Sequence, residues 1–411
     1  TGCGGATVAG GAQNDALGCL SFIGGGFQNV VSEAKYGAIA GGCQNEITGS
    51  ETDGTRSFIG GGALNYISSS YSVIGGGANN FANGLTSTIA GGYLNTASAE
   101  YSSIIGGKSN LVTGIYSAAG GSGSIASGCY SFVYGGPNPG LQQPIQSPGH
   151  FSVAFGFGTY ASGSDAFAMG HDSVAAGHGV QAMGYEAYAG IAGEDPDNHR
   201  GNTAMGCYVF ASGSSSTVFG SNNYAKGNCS NVLGGHLNCT TGALATVVGG
   251  TLNTASAACS FIGGGISNSI SSNYSQNAKH VIVGGNNNSI SGDYQSHTSV
   301  IVGGQDNTLS GAYNNFRFIG AGCNNTISNS LNKGVIVGGV SNTIDGPYGG
   351  PGAFIGAGEL NTVNSPGGII VGGCCNSSPG SDSGVFIGGG LRNKVSKAYS
   401  SIVGGTLNTA S

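Results

Sequence analysis

Residues 21–29 read Ser-Phe-Ile-Gly-Gly-Gly-Phe-Gln-Asn, and variants of this stretch recur along the whole chain. In each, an apolar pair or triplet runs into a glycine, usually Gly-Gly, and an asparagine often follows four or five residues later. The motif occurs about 25 times, at a mean spacing of about 16 residues and a minimum of 14. A repeat this short is one coil of a solenoid. The pattern therefore predicts an all-β, parallel β-solenoid or β-roll of about 25 coils of 14–22 residues, stacked into an elongated rod.

The composition excludes several other classes of protein. Glycine accounts for 84 of 411 residues but follows no three-residue period, so the chain is not collagen. Val, Ile, Phe and Tyr recur at a fixed phase, which favours strands over disorder, and no helical periodicity or heptad is present. No apolar run approaches the roughly 18 residues of a membrane span. The net charge of -6 provides no basic surface for nucleic acid. We therefore expect no membrane span and no nucleic-acid partner.

A coil of 14 residues has room for two short strands and two tight turns. One strand is the apolar run before the glycines, as in residues 71–74, and the other follows the asparagine, as in residues 95–98. The Gly-Gly pair supplies positive φ values at the corner without the clash that a Cβ would cause. Because stacked coils pair as parallel strands about 4.8 Å apart, the 24 steps predict a rod of roughly 115 Å.

Asparagine occupies one recurring position of the coil. An amide has two donor hydrogens and an acceptor oxygen, so equivalent asparagines can bond along the stack and to the backbone of the turn. We interpret the series as a structural asparagine ladder, in preference to a row of ligand-binding residues. Its members are Asn14, Asn29, Asn45, Asn65, Asn80, Asn95, Asn110, Asn238, Asn253, Asn268, Asn288, Asn307, Asn325, Asn342, Asn361, Asn376, Asn393 and Asn408.

The two residues before the first glycine are both apolar in most coils. Neighbours on a strand face opposite sides, so one set would fill the interior and the other would form an apolar stripe outside. Such a stripe usually marks an interface, which a homotrimer or a lateral bundle would bury. Alternatively, the corner twists both residues inward. The pairs include Phe22/Ile23, Phe58/Ile59, Val73/Ile74, Phe261/Ile262, Phe318/Ile319, Phe354/Ile355 and Phe386/Ile387.

The middle of the chain, about 150–227, has a tighter 14-residue repeat. It contains Ser-Val-Ala-Phe-Gly at 152–156 and Ala-Phe-Ala-Met-Gly at 166–170, with Ala-Ser-Gly at 161–163 and 211–213. These motifs resemble the head repeats of trimeric autotransporter adhesins, the YadA-like family. The resemblance implies a left-handed parallel β-roll, three intertwined chains and a role in surface attachment. The flanking Gly-Gly-x-x-Asn repeats are similar to looser relatives in phage tail-fibre and other surface proteins.

The repeat types divide one continuous predicted solenoid into segments. Residues 1–136 and 228–411 carry the Gly-Gly-x-x-Asn repeats, 137–150 is a proline-rich loop, and 151–227 carries the 14-residue repeats with a loop at 191–202. We interpret that loop as solvated, although it is the place where a cation would most plausibly be held. Its charged residues are Glu194, Asp195, Asp197, His199 and Arg200.

Cysteine usage departs from the adhesin family, which the resemblance implies to be poor in cysteine. No Cys-x-x-Cys pair indicates a zinc site. Small buried thiols are the favoured interpretation, and some disulfides in an oxidising extracellular setting are the alternative. The 11 cysteines are Cys3, Cys19, Cys43, Cys129, Cys207, Cys229, Cys239, Cys259, Cys323, Cys374 and Cys375.

Six Asn-x-Ser/Thr sequons permit glycosylation if the chain passes through a eukaryotic secretory pathway. In a chain this rich in Asn, Ser and Thr their number is no more than chance provides. The candidate positions are Asn228, Asn238, Asn273, Asn287, Asn324 and Asn376.

Both ends of the chain fall inside a repeat. Residues 1–11 form the back half of a coil, and residues 407–411 form the front half of another. We therefore expect either an excerpt of a longer chain or protomers that stack head to tail.

The sequence predicts no catalytic site, cofactor or metal. The 17 acidic and 11 basic residues are scattered, and the seven histidines never share a phase with an acid and a nucleophile. The favoured function is a structural extracellular filament or fibre shaft whose partner is another copy of itself, as a trimer or a head-to-tail fibre. The alternative is an adhesin or a viral or phage receptor-binding fibre that recognises glycans or a cell surface through its loops. Either function places the protein outside the cell or on the surface of a cell or virion.

Overall fold

The computed structural model describes residues 4–49, 56–138, 144–190, 200–272, 279–292, 298–311, 316–328, 333–346, 352–380 and 383–411. Within these ranges the chain forms 48 short strands and no helix. The strands fall into two compact units, residues 1–205 and 206–411. Within each unit, strands pair in parallel with those of neighbouring coils, as Val73–Ile74 pairs with Phe58–Ile59 and with Thr88–Ile89. The prediction of an all-β parallel solenoid built from coils of 14–22 residues is confirmed.

Each coil contributes a first strand, before its glycines, and a second strand, after them. The first strands of the first unit are Thr7–Val8, Phe22–Ile23, Ala38–Ile39, Phe58–Ile59, Val73–Ile74, Thr88–Ile89, Ser103–Lys108, Ala118–Ser122, Phe132–Gly136, Val153–Phe157 and Phe167–His171. Its second strands are Asp15–Ala16, Val30–Ser32, Glu46–Thr48, Tyr66–Ile67, Phe81–Ala82, Thr96–Ala97, Leu111–Val112, Ile125–Ala126, Gln146–Ser147, Tyr160–Ala161 and Val174–Ala176. A single strand, Gln181–Gly190, covers both positions of its coil, and Thr203–Ala211 runs from the first unit into the second.

The second unit repeats this arrangement. Its first strands are Thr217–Ser221, Asn231–Val232, Thr246–Val247, Phe261–Ile262, Val281–Ile282, Thr298–Ile301, Phe316–Ile319, Lys333–Ile336, Ala353–Ile355, Ile369–Ile370, Phe386–Ile387 and Ser401–Ile402. Its second strands are Tyr224–Ala225, Cys239–Thr240, Thr254–Ala255, Ser269–Ser272, Ser289–Gly292, Thr308–Leu309, Thr326–Ser328, Thr343–Asp345, Thr362–Val363, Ser377–Ser378, Lys394–Val395 and Thr409–Ala410.

A third line of contact, which the sequence did not predict, joins the coils between the two strands. Single parallel bridges link equivalent residues of successive coils, as at Ala63, Ala78 and Tyr93. In the 14-residue coils the first strand instead extends through this position, so that Phe167–His171 pairs residue by residue with 181–185. The backbone of a coil therefore contacts its neighbours along three lines.

Left-handed residues make the corners. Gly77 has φ +87°, as predicted for the Gly-Gly corner, but Asn79 just before the ladder residue has φ +53° and Tyr71 at the opposite corner has φ +59°. A Cβ added at Gly77 would lie 2.1 Å from the carbonyl oxygen of Gly92, whereas one added at Gly76 would meet nothing within 4 Å. A Cβ at Gly75 would lie 2.3 Å from Ala90 O, so Gly76 is the one glycine of this triplet that the backbone does not require.

The apolar pair is divided between the inside and the outside of the coil. Ile23 and Ile59 are fully buried, whereas the preceding Phe22 and Phe58 are 43% and 41% exposed. The same alternation holds at Ile262, which is buried beside a half-exposed phenylalanine. The alternative in which both residues twist inward is wrong for these coils, and the predicted outer apolar stripe is confirmed.

Candidate functional site

The asparagine ladder lies inside one corner of the coil. Asn80 is fully buried, and its Oδ1 accepts hydrogen bonds from the backbone N–H and the Nδ2 of Asn95 at 3.1 and 3.0 Å. Its Nδ2 lies 3.0 Å from Asn65 Oδ1, 3.1 Å from Gly76 O and 3.0 Å from Gly92 O. Because an amide has only two hydrogens, the three acceptors share them. Each side chain thus bonds to the coil before it, its own coil and the coil after it.

The structure places all 18 predicted ladder residues at this corner, and 16 of them are buried. It adds Asn223, whose Oδ1 accepts the backbone N–H of Asn238 at 2.8 Å. The sequence pattern missed Asn223 because a single glycine, Gly220, precedes it in place of Gly-Gly. The first unit's series ends where Asn110 Oδ1 accepts the backbone N–H of Ser124 at 3.0 Å. In the coils that follow Ser124, the position equivalent to the ladder asparagine holds Ile145, Thr159, Ser173, Ala187 and Val209.

Eight successive coils of the second unit carry apolar residues on the outside of their first strands. We call this surface the outer apolar face. Val283, Val337 and Val371 are 51%, 50% and 48% exposed, so about half of each valine meets solvent. One row of the face consists of strand residues that stand in register: Phe261, Val281, Val300, Phe318, Val335, Phe354, Ile369 and Phe386. The other row lies two residues further along each coil: Gly263, Val283, Val302, Gly320, Val337, Gly356, Val371 and Gly388.

Large and small residues complement each other across this face. Every phenylalanine is followed two places later by glycine, whereas Val281, Val300, Val335 and Ile369 are each followed by valine. A Cβ added at Gly320 would lie 2.4 Å from Val337 O and 3.4 Å from Phe318 Cε1, so the backbone of the next coil leaves no room for a side chain there. Each coil of the face therefore presents either one phenylalanine or two aliphatic side chains.

The second strands of the same eight coils present a different surface. Their outward residues carry hydroxyl groups in seven coils and an amine in the last. These residues are Ser269, Ser289, Thr308, Thr326, Thr343, Thr362, Ser377 and Lys394. Each of these coils thus has one apolar and one hydrophilic face.

Two of the candidate glycosylation positions are buried in the folded chain. Asn238 and Asn376 are fully buried members of the asparagine ladder, and their Nδ2 atoms lie 2.9 and 3.0 Å from Gly250 O and Gly390 O. A glycan on a buried, hydrogen-bonded amide would have to displace the next coil. The side chains of Asn228, Asn287 and Asn324 are exposed, and Asn273 lies outside the described residues.

The predicted charged loop also falls mostly outside the described residues, which resume at Arg200. In the described part of the chain, no three His, Cys, Asp or Glu side chains come together as a group that could hold a metal ion. The described ranges likewise contain no helix long and apolar enough to cross a membrane.

Cysteine thiols are spread over several positions of the coil. Nine of the described cysteines are free and are partly or fully exposed, so they are not the buried small residues that the sequence suggested. They are Cys43, Cys129, Cys207, Cys229, Cys239, Cys259, Cys323, Cys374 and Cys375.

Aromatic residues stack on the outside of the first unit. The rings of Tyr101, Tyr116, Tyr130 and Phe151 lie 4.6, 5.0 and 4.8 Å apart between successive centroids and are nearly parallel. Their residues occupy the same left-handed corner in successive coils. Since each inner ring covers the face of its neighbour, the stack stabilises the corner and presents ring edges to solvent.

Comparison with known proteins assigns no family to this arrangement. No protein-family model matches the chain, and no curated protein matches it significantly. The resemblance of residues 150–227 to YadA-like head repeats stays a prediction.

Proposed function

We propose that the chain is a structural protein of an extracellular fibre or filament and that copies of it associate through the outer apolar face. The observation that carries the proposal is the contrast between the two faces of the same eight coils. On one face valines such as Val302 and Val337, just past the end of the first strand, are about half exposed, and on the other the outward residues of the second strands are threonines such as Thr308 and Thr343. Extended apolar surface rimmed by polar residues marks interaction sites.

The regular spacing of the face favours another copy as the partner. Its side chains repeat once per coil, about every 4.8 Å, over eight coils. A second solenoid of the same sequence carries apolar groups at the same spacing and keeps matching them along its length.

The extracellular location rests on the resemblance of the repeats to those of surface proteins. An adhesin would share that location but would present loops to its target at a defined tip. The two functions therefore differ in whether copies extend into a continuous polymer.

A matched pair of double variants tests the proposal. Val302→Asp with Val337→Asp places two carboxylates on the outer apolar face, and Thr308→Asp with Thr343→Asp places two on the hydrophilic face of the same coils. Sedimentation velocity and cryo-electron microscopy would be performed on the full chain and on both variants. We expect the wild-type chain and the threonine variant to form the same assembly, and the valine variant to sediment as a single chain.

Equal association of all three proteins would contradict a role for the outer apolar face. A wild-type chain that stays monomeric at all concentrations would contradict the fibre function. If that monomer also bound immobilised glycans, the adhesin would become the preferred function.

A further inference from the structure

Cys374 and Cys375 are the only adjacent cysteines in the chain. Cys374 occupies the bridge position of its coil, between Glu359 and Leu391, and Cys375 occupies the left-handed position before the ladder residue, with φ +60°. Neighbours on an extended strand point to opposite sides, but the left-handed residue turns its side chain back toward that of Cys374. The two Sγ atoms lie 2.8 Å apart, and both residues are partly exposed.

We propose that Cys374 and Cys375 form a reversible vicinal disulfide. The coil places the two sulfurs close together, so only a small movement separates the thiols from a bond of about 2.05 Å. The other cysteines at the bridge position, Cys43 and Cys323, are followed by Gln44 and Asn324 and have no such neighbour. This site is independent of the proposed fibre function.

Oxidation proceeds by exchange with a small disulfide, for which oxidised glutathione is the probe. A Cys375 thiolate attacks one glutathione sulfur, forms a mixed disulfide and releases one glutathione thiolate. The Cys374 thiol then loses its proton and attacks Cys375 Sγ, which releases the second glutathione. Two cysteine thiols are oxidised, one glutathione disulfide is reduced, and the two protons end on the released glutathione thiols.

This order of attack agrees with the surroundings of Cys374. Its hydrogen bond with Cys375, together with burial, raises the pKa of the Cys374 thiol. Cys374 is therefore the poorer first nucleophile, because the thiolate is the attacking species.

The resulting bond would be strained and easily reduced. Adjacent Cα atoms are about 3.8 Å apart across a trans peptide, below the range of about 4.4–6.8 Å for ordinary disulfides. The backbone N–H of Cys374 donates to Gly390 O and that of Cys375 donates to Glu359 O, both at 2.9 Å. Forming the Cys374–Cys375 disulfide would strain both of these hydrogen bonds between coils. That strain favours the reduced form.

The test exposes the full chain to a glutathione redox series, followed by iodoacetamide and peptide mass spectrometry. With excess oxidised glutathione, we expect the peptide with residues 374 and 375 to lose two hydrogens and to be alkylated at least about tenfold less than the reduced chain. Dithiothreitol should restore two alkylation sites. Cys323 is the internal control and should take up one alkyl group or one glutathione.

The variant Cys374→Ser separates the two steps. Small hydroxyl-bearing residues occupy the equivalent bridge position at Thr251 and Thr406, so the coil should still fold. In this variant Cys375 should retain glutathione as a stable mixed disulfide, since no second thiol is present to displace it. The proposal is overturned if oxidised wild-type chain carries two alkyl groups or two glutathiones at this pair, or if either cysteine is bonded to a different one.

Discussion

Coils at residues 58–110 hold isoleucine and asparagine in their interior besides alanine and serine, whereas the interior of coils at 153–189 is mainly alanine and has neither isoleucine nor asparagine. Asn80 lies six positions after the inward Ile74, but Ser173 lies only five positions after Ala168. In the longer coil the first strand ends at Ile74, and the amide of Asn80 binds the corner carbonyls. In the shorter coil the strand continues through the corner and pairs with the next coil directly.

The difference shows what the asparagine does. An extra corner residue leaves carbonyl oxygens that face inward, and a buried carbonyl without a donor costs about 1–3 kcal/mol. The asparagine side chain supplies that donor in the coils at residues 58–110. A coil without the extra residue can use a smaller donor, as Ser173 does toward Gly184 O at 2.9 Å, although the coil of Asn223 keeps an asparagine.

The largest expected effect is the loss of a ladder amide. Asn80→Ala should lower the free energy of unfolding by about 3 kcal/mol, since it leaves the Asn95 N–H and Gly76 O without these partners and removes the amide's bond to Gly92 O, which keeps the Ala78 N–H. Ser173→Ala removes one bond, to Gly184 O at 2.9 Å, and should cost about 1 kcal/mol. Native-state amide exchange of the flanking coils measures both. Similar losses of stability in Asn80→Ala and Ser173→Ala would show that the long-coil corner does not depend on its side-chain donor more than the short-coil corner does.

A pH effect should follow from His280, which occupies the inward position that serine holds in Ser260 and Ser299. Burial, and then the charge of Arg317, lower the pKa of His280 to about 4. The unfolded chain takes up this proton near pH 6.5, so stability should fall by up to about 3 kcal/mol as the pH drops from about 6.5 to 4, and level off below. His280→Ser should remove this difference between wild-type and variant unfolding curves. If the unfolding free energy of the variant falls with pH as steeply as that of the wild type, groups other than His280 cause the pH dependence.

Alanine substitutions of the corner glycines should show which of them the backbone requires in each kind of coil. Gly77→Ala should cost more than about 2 kcal/mol, because an L-residue is strained at φ +87° and its Cβ meets Gly92 O. Gly76→Ala should be nearly neutral. In the short coil the single corner glycine, Gly170, has φ +121° and a Cβ there would lie 2.0 Å from Gly184 O, so Gly170→Ala should behave like Gly77→Ala. Thermal unfolding of the three variants tests this ranking.

The width of the interior should limit side-chain size in the short coils. Ala168 is fully buried at the position that Ile74 occupies in a long coil. Ala168→Ile should cost about 2 kcal/mol through overpacking. Met169→Ile, on the adjacent exposed residue, is the control and should change stability little. A tolerated Ala168→Ile would mean that the short coil can widen.

The smallest effect is expected at Thr159. Its Oγ1 is buried and has no hydrogen-bond partner among the described residues. Thr159→Val keeps the shape and removes an unsatisfied group, so unfolding free energy should stay unchanged or rise by about 1 kcal/mol. Calorimetry of this variant measures the change. A loss of stability would indicate that the hydroxyl makes a water-mediated bond.

Much of the fold could be predicted from the sequence because the repeat itself encodes it. Glycine spacing indicated the coils, and the recurrence of asparagine indicated the ladder. The bridge line was missed because its residues, such as Ala63 and Tyr93, share no chemical type. The left-handed corners were missed because Leu94 and Tyr71 are not residues that usually signal positive φ.

The division of the surface was harder to predict. Both residues of pairs such as Phe58 and Ile59 are apolar, so composition alone did not show which one points outward. The buried sequons Asn238 and Asn376 were proposed for the same reason, since a sequon specifies three residues but not their exposure. The vicinal thiols gained meaning only when the left-handed conformation of Cys375 was known.

Each strand pairs only with strands of the coils adjacent to its own, and this bears on how the chain folds. Paired strands lie 14–22 residues apart along the chain throughout each unit. Every loop that closes during folding is therefore short, and the conformational entropy lost on closing it is similar from coil to coil. A coil that has formed offers a row of backbone donors and acceptors on which the next can be templated. We therefore expect nucleation at any well-packed pair of coils, followed by zipper-like growth in both directions.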